Sequence, residues 1–200
     1  MKTSHPGQQI SEHFTRSQQA LSDALPVLKE GIALAASRIA EVLSGGGKLL
    51  ICGNGGSAAD SMHFSSELLN RFVLERRPLP AISLNTDAPT LTSIANDFAF
   101  EYVFSKQVEA LGKPADMLVA FTTSGQSATI NRAIRTAQQC DMPVLALTGK
   151  TGGEAANLLA DDDIELRVPN DETARIQEVH GLIIHCLCDL IDQQLFGEAK

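Results

Sequence analysis

Five short apolar segments, separated by stretches with helical spacing, constrain the fold of this 200-residue chain most strongly. They are KLLIC, PAISL, DMLVAFT, PVLALT and IELRV, at residues 48–52, 80–84, 116–122, 143–148 and 164–168. Most are continuously apolar, which is typical of strands buried on both faces. Because such strands alternate with helices, they indicate a parallel sheet covered by helices. The sequence therefore predicts a doubly wound, five-stranded α/β fold with the flavodoxin-like strand order 2-1-3-4-5.

Helices are predicted around these strands, at residues 58–72, 88–95, 101–112, 127–140 and 173–195. The first 45 residues are also predicted to be helical, with Phe14, Leu21 and Leu25 at helical spacing. Pro26 is expected to break or restart this helix. No linker, repeat or low-complexity tract divides the chain. We therefore expect a single domain over 1–200, with an N-terminal helical segment at 1–45 and an α/β core at 46–200.

Charge and cysteine usage limit the function classes. The formal net charge of −8 argues against binding to a nucleic-acid backbone, and at face value it also disfavours an anionic ligand. The N-terminal residues carry no apolar signal-peptide core, and no apolar run is long enough for a membrane span. The four cysteines contain no C-x-x-C pair. These features predict a cytoplasmic protein whose cysteines are small apolar side chains.

The loops after strands 1 and 3 are expected to share one crevice, because these strands are neighbours at the switch point of the predicted sheet. In the first loop, Gly53-x-Gly55-x-x-Ala58 matches the dinucleotide fingerprint, but the acidic residue expected about 20 positions later is missing. The glycines either bind a nicotinamide cofactor, make a tight turn, or present the free N–H groups of a helix N-terminus to an anion.

The loop after strand 3 contains four hydroxyl side chains around Gly125: Thr122, Thr123, Ser124 and Ser127. Hydroxyls and helix-start N–H groups together can hold a phosphate without Lys or Arg, which favours a phosphate site. The alternative is that Ser124 or Ser127 only caps the next helix. The later sequence Gly149-Lys150-Thr151 is not a P-loop, since Val144 stands where the pattern needs glycine.

Two pairs of polar residues occupy single faces of two predicted helices. His63 and Glu67 are spaced i, i+4, and Gln177 and His185 are spaced i, i+8. If the two faces converge, the set suits Zn²⁺, and without metal it still supplies a carboxylate base and an imidazole acid. Spacing alone also permits ordinary surface pairs. The remaining histidines are interpreted as surface residues at positions 5 and 13 and as a structural residue at position 180.

Taken together, the motifs resemble the bacterial phosphoheptose isomerase family of sugar-isomerase (SIS) domains, over nearly the whole chain. They are Gly53-Asn-Gly-Gly-Ser57, His63-x3-Glu67, Ala95-Asn96-Asp97, the hydroxyl loop 122–127, Leu147-Thr-Gly-Lys150 and Arg175-Ile-Gln-Glu-Val-His180-x4-His185. The family's hydroxyl loop usually reads S-T-S-G-N-S, so Thr122 and Gln126 depart from it. Thr122 keeps a hydroxyl, so phosphate binding is expected to persist, and Gln126 is expected to change only the fine geometry of the loop.

The resemblance implies conversion of D-sedoheptulose 7-phosphate to D-glycero-D-manno-heptose 7-phosphate through an enediol, the first step toward the ADP-heptose precursor of lipopolysaccharide. It implies catalysis by Glu67 and His185 and a homotetramer with active sites at subunit interfaces. The implied zinc ligands are His63, Glu67, Gln177 and His185. The implied phosphate ligands are Thr122, Thr123, Ser124 and Ser127. The other implied substrate contacts are Asn54, Gly55, Gly56, Glu67, Asn96, Asp97 and Gln177.

A non-catalytic relative is the main alternative. The DnaA initiator-associating protein is a similar SIS-domain chain that binds the replication initiator DnaA, and it shares the RIQE and CLCDLID segments. It lacks the acid matching Glu67 and the imidazole matching His185. This chain has both residues, which favours an isomerase over a regulator. Isomerisation of another sugar phosphate is a third reading.

Overall fold

The structure, a computed structural model, describes residues 5–197. Its helices and strands alternate along the chain after one long N-terminal helix. The strands are β1 (Leu49–Gly53), β2 (Ala81–Ser83), β3 (Met117–Phe121), β4 (Val144–Gly149) and β5 (Ile164–Val168). The helices are α1 (Pro6–Ser44), α2 (Gly56–Leu69), α3 (Ala88–Asp97), α4 (Ser105–Leu111), α5 (Ala128–Gln139), α6 (Gly153–Leu158) and α7 (Thr173–Phe196), with a short 3₁₀ turn at Phe100–Tyr102.

The five strands form one parallel sheet in the order β2-β1-β3-β4-β5, so the predicted fold class and strand order are confirmed. Gly53, the last residue of β1, pairs with Phe121, the last residue of β3. The loops that follow these two strands therefore begin side by side, as expected at the switch point of a doubly wound sheet.

Apolar layers cover both faces of the sheet. Leu49 and Ile51 of β1 point into a core formed with α1, α2 and α7, whereas Leu50 and Cys52 point into a core formed with α3, α4 and α5. This division explains why β1 is apolar at every position: both of its faces are buried. The α2 and α7 helices, which carry the predicted catalytic residues, lie on the same side of the sheet.

The expected break at Pro26 is wrong: α1 is a single helix of 39 residues that contains this proline. Pro26 lies on the exposed side, so the carbonyl of Ser22, which loses its helical partner, can be hydrated. Ala24 and Leu28 on either side of the proline are buried in the core. Their packing holds the helix continuous.

Other differences from the sequence prediction are local. The helix expected over 101–112 is split into the 3₁₀ turn and α4, and the short α6 was not predicted. All four cysteines are free, with Cys52 and Cys188 buried and the other two half-buried. Burial raises the pKa of the Cys52 thiol to about 12, as expected for an inert, apolar side chain. Within residues 5–197, no helix combines the length and apolarity that a bilayer span requires.

Candidate active site

Asn85 fixes the glycine loop after β1. Its Oδ1 accepts hydrogen bonds from the Gly53 N–H (3.2 Å) and the Ser61 hydroxyl (2.8 Å), and its Nδ2 donates to the Gly53 carbonyl (2.8 Å). Asn85 was not among the residues predicted for the site. Its contacts show that it holds the backbone of the loop.

Asn54 joins the two crevice loops. Its Nδ2 donates to the hydroxyls of Ser127 (2.7 Å) and Thr129 (2.6 Å), and these hydroxyls lie 2.9 Å from each other. The predicted shared crevice is therefore present. Thr129 was missed from the sequence, because a threonine inside a helix gives no signal that it contacts a distant loop.

The hydroxyl loop is compact and stabilised by its own side chains. The Thr122 hydroxyl accepts from the Gly125 N–H (3.1 Å), and the Ser124 hydroxyl accepts from the Gln126 N–H (3.2 Å). Ser127 stands at the N-cap position of α5 but makes no side-chain capping bond, so the simple capping alternative does not describe it. A hydroxyl that accepts a hydrogen bond still has a proton to donate, and so remains available to an anion.

Gly125 shows why this loop requires glycine. Its φ is +66°, and a Cβ there would overlap the carbonyl oxygen of Gly152 in the loop after β4. The Ala155 N–H also donates to the Gly125 carbonyl (2.9 Å). The hydroxyl loop is thus pressed against the loop after β4, and both lie at the carboxyl edge of the sheet.

Gly56 brings α7 against the start of α2. A Cβ at Gly56 would overlap the side-chain amide of Gln177, so this amide lies directly against the first residue of α2. The N-cap residue Gly55 offers no side chain to cap α2. The Gln177 amide and the first N–H groups of α2 therefore lie together at the crevice, where an anion or a polar substrate is favoured.

His63 and His185 meet within one chain. Their Nε2 atoms are 3.0 Å apart, and their rings are arranged edge to face at 5.2 Å. The Phe72 ring stacks on His185, with 5.4 Å between the centroids and 21° between the planes. Glu67 lies one turn along α2, with its Oε1 3.8 Å from the Nδ1 of His63. The two helix faces predicted from spacing therefore converge at this point.

These residues fit a zinc ion in part. Imidazole nitrogen and carboxylate oxygen are ordinary zinc donors, and two facing Nε2 atoms at 3.0 Å require a proton or a cation between them. Glu67, however, contacts the opposite ring nitrogen of His63, and the amide of Gln177 lies against Gly56. Within residues 5–197, no three His, Cys, Asp or Glu side chains form a group arranged to hold a metal ion.

Asn96 and Asp97 lie apart from the other predicted contacts. They end α3, are exposed, and hydrogen-bond each other through the Asn96 Nδ2 and the Asp97 Oδ1 (2.8 Å). In the part of the chain that the structure describes, neither side chain hydrogen-bonds the crevice loops or the histidine pair. These two predicted substrate contacts are not brought to the site within one chain.

Asp60 is a site residue that the sequence analysis missed. It lies one turn before His63 on α2, and its Oδ2 is buried without a hydrogen-bond partner in residues 5–197. Burial raises the pKa of its carboxyl group to about 6, and attraction to His63 opposes this rise. The i, i+3, i+7 spacing of Asp60, His63 and Glu67 could have identified this single polar face of α2.

His180 is structural, as its position suggested. It is fully buried, its Nε2 lies 3.0 Å from the Thr148 carbonyl, and its ring lies edge-on to Phe121. Burial lowers the pKa of His180 from 6.5 to about 4, and the hydrogen bond to Thr148 opposes this shift. The ring is therefore neutral at pH 7, and it protonates more readily in the unfolded chain than in the folded one.

We expect this neutral histidine to make stability depend on pH. Between about pH 6.5 and pH 4 the unfolded chain binds the His180 proton and the folded chain does not, so the free energy of unfolding falls as the pH falls. Relative to His180→Gln, the wild type should lose about 3 kcal/mol between pH 7 and pH 4. Urea unfolding of both proteins over this range measures the difference. Any opposing contribution from Asp60 is common to both, and a flat difference would contradict a neutral buried His180.

Comparisons with known proteins identify the family. The SIS domain model matches residues 12–149. The phosphoheptose isomerase of Alkalilimnicola ehrlichii is 57% identical over 195 residues, covering 98% of this chain and 100% of that protein. The relatives are named as isomerases, so the reading as a DnaA-binding regulator gains no support.

Solved structures of similar proteins support the same family. A phosphoheptose isomerase from Francisella tularensis is 47% identical, with a TM-score of 0.93 over 95% of this chain and 100% of that one. The phosphoheptose isomerase from Neisseria gonorrhoeae is 45% identical, with a TM-score of 0.91 over 94% of this chain and 100% of that one. From its sequence and its fold, the chain belongs to the phosphoheptose isomerase family of SIS-domain proteins.

Proposed function

We propose that this protein is an aldose–ketose isomerase that converts D-sedoheptulose 7-phosphate to D-glycero-D-manno-heptose 7-phosphate. One observation carries the proposal. Glu67 lies beside His63 on α2, and a ring nitrogen of His63 meets one of His185 on α7. The same two helices line the crevice at the sheet edge. A carboxylate beside imidazole groups is the acid–base equipment that an enediol mechanism requires. Membership of the family supports the same reaction.

Glu67 and His185 divide the proton transfers in the proposed mechanism. The Glu67 carboxylate takes a proton from C1 of the ketose and returns it to C2, so that an enediol forms and collapses to the aldose. His185 exchanges the proton on the neighbouring oxygen, which moves between the carbonyl and hydroxyl forms. The Phe72 ring stacked on His185 holds the imidazole plane for this transfer. Positioned acids and bases of this kind contribute about 10²–10⁴-fold each to the rate.

Zinc is part of the proposal. His63 and His185 would each hold the ion through one imidazole nitrogen. The family resemblance adds Glu67 and Gln177 as ligands, and their side chains would have to turn toward the pair from their places beside His63 Nδ1 and Gly56. When bound, zinc supplies Lewis-acid polarisation of the substrate oxygens. The donor types support this assignment.

The hydroxyl loop is the proposed seat of the substrate phosphate. From Gly56, beside this loop, to His63 the α2 axis rises about 10 Å. That separation is of the order of an extended seven-carbon phosphosugar, with its phosphate at the loop and its C1–C2 end at the histidine pair. This phosphate site would use hydroxyls and backbone N–H groups, so the net charge of −8 does not oppose phosphate binding there.

Removing a loop hydroxyl is expected to weaken substrate binding more than turnover. Ser124→Ala deletes a half-buried hydroxyl whose proton is free to bind phosphate, and we expect KM to rise by about tenfold, which is the loss of one hydrogen bond to a charged group. Steady-state kinetics with the heptose phosphate measure the change. Ser93→Ala, on exposed α3, is the matched control. A fall in kcat with an unchanged KM would contradict the phosphate assignment.

A homotetramer is the proposed working unit. The α1 helix exposes large apolar side chains along its length, at Ile10, Phe14, Leu25, Val27 and Leu34, which is typical of a surface covered by a second copy. Within residues 5–197, the side chains of Asn96 and Asp97 make no hydrogen bond to the crevice loops or the histidine pair, and we infer that they serve a neighbouring subunit's site. A cytoplasmic location and a place in lipopolysaccharide precursor synthesis are part of the same proposal.

An isomerase assay on the purified protein tests the function. We expect interconversion of the ketose and the aldose, which NMR detects as the appearance or loss of the anomeric proton of the aldose. Sugar phosphates of five and six carbons, offered in parallel, test the chain length. Turnover of a shorter sugar in preference to the heptose would overturn the substrate. Absence of any turnover, together with capture of DnaA by the protein, would overturn the reaction.

A further inference from the structure

We propose that Arg76 is a positioning residue: with Asp192 it clamps the C-terminal end of α2 to α7 and thereby sets the approach of Glu67 to His185. The inference rests on the proposed function, because it gives Arg76 a role through those two residues. Neither the family motifs nor the sequence pattern singles out Arg76 or Asp192.

The two catalytic helices run side by side in the same direction and touch at three levels. Gln177 lies against Gly56 at their beginning, and His185 meets His63 one level further on. The third level lies beyond Glu67, where α2 ends and Asp192 follows His185 by two turns on the same face of α7. The contact beyond Glu67 therefore helps to set how α2 is oriented relative to α7 at the active site.

Arg76 makes that third connection. Its Nε donates to the Asp192 Oδ1 (2.7 Å), while its Nη2 donates to the carbonyl of Glu67 (3.1 Å) and its Nη1 to the carbonyl of Leu68 (2.8 Å). Nη1 also lies 3.2 Å from the Asn70 carbonyl. The guanidinium thus satisfies carbonyls at the end of α2, including that of the proposed base itself, and its charge complements the negative end of the helix dipole.

The pair is almost completely buried. The exposed fractions of the Arg76 and Asp192 side chains are 1% and 5%. Burial, followed by the negative charges of Glu67 and Asp192, raises the pKa of the Cys188 thiol, and the positive charge of Arg76 opposes this rise. The planar guanidinium has five donors in a fixed fork, and a lysine ammonium cannot reach the same carboxylate and carbonyls together.

A buried ion pair elsewhere in the fold provides a matched control. Asp116 at the start of β3 pairs with Lys48 and accepts hydrogen bonds from the N–H groups of Lys48 and Lys113 (both 2.9 Å). It is as buried as Asp192, but it lies at the amino edge of the sheet, opposite the crevice. A purely structural effect should appear for either pair, whereas a positioning effect should appear only for Arg76 and Asp192.

The test compares Arg76→Lys, Asp192→Asn and the control Asp116→Asn in the full chain. We expect kcat to fall by about 10- to 100-fold in the first two, with KM nearly unchanged, because a small displacement of Glu67 impairs proton transfer more than binding. Asp116→Asn should lower the free energy of unfolding in urea and keep the wild-type kcat. Equal kcat losses in all three variants, or none in the first two, would overturn the proposal.

A readout independent of turnover separates this proposal from the proposed function. In ¹⁵N-histidine-labelled protein, the ring signals of His63 and His185 should shift in Arg76→Lys and Asp192→Asn and stay in place in Asp116→Asn. If the wild type isomerises no sugar phosphate, the proposed function fails, and these signals still decide whether the clamp sets the histidine pair. Unshifted histidine signals in both Arg76→Lys and Asp192→Asn would overturn the positioning role of Arg76. Asp192→Asn is nearly isosteric, so it provides the answer even if Arg76→Lys does not fold.

Discussion

Glu67→Gln is expected to lower kcat by about 10²–10⁴-fold, because the amide cannot carry a proton between C1 and C2. The side chains have the same shape, so the contact with His63 and the fold should persist. Steady-state kinetics in both directions of the isomerisation measure the loss. Hydrogen–deuterium exchange at the substrate carbon next to the carbonyl should be lost in parallel.

The control for this change is Glu75→Gln, which alters an exposed carboxylate in the segment after α2. It makes the same change in charge and should leave kcat at the wild-type value. Wild-type turnover by Glu67→Gln would remove Glu67 as the base, and with it the proposed mechanism.

His185→Ala is expected to produce the second large effect, with kcat falling by about 10²–10⁴-fold. It removes the imidazole that faces His63, so one of the two converging nitrogens is lost. The zinc content of the purified protein should fall as well, because a single imidazole holds the ion weakly. Kinetics and elemental analysis of the same sample measure both consequences.

His13→Ala is the control for His185→Ala, since His13 is an exposed imidazole on α1. It should retain both turnover and zinc. If His185→Ala lost turnover and kept a full complement of zinc, His185 would act on the substrate alone. Wild-type turnover by His185→Ala would contradict the assignment of His185 as an acid–base residue.

Much of the fold follows from local pattern. The apolar run of β1 is buried at every position because helices cover both faces of the sheet, and this is the property from which a parallel sheet was predicted. Right-handed crossover connections make such a sheet doubly wound, and five strands suit the order 2-1-3-4-5. Pro26 misled the same reasoning, because its effect depends on whether the freed carbonyl is exposed, which the sequence does not state.

The candidate site, too, was only partly predictable from the sequence. The i, i+4 spacing put His63 and Glu67 on one face, and the i, i+8 spacing did the same for Gln177 and His185. Spacing could not show that the two faces meet, because that depends on how α2 and α7 pack on the sheet. Asn85 and Thr129, which hold the crevice loops in place, carry no sequence signal of that role.

By itself, the sequence determined the parallel α/β fold, the loops at its switch point, the family and the residue types of the site. These are consequences of periodicity, glycine placement and motif spacing, which are local properties of a chain. The tertiary structure alone decided that His63 meets His185 within one chain, and that a buried Arg76–Asp192 pair joins the ends of their helices. Such contacts depend on helix packing across a shared core, and the residues that make them are 122 and 116 positions apart.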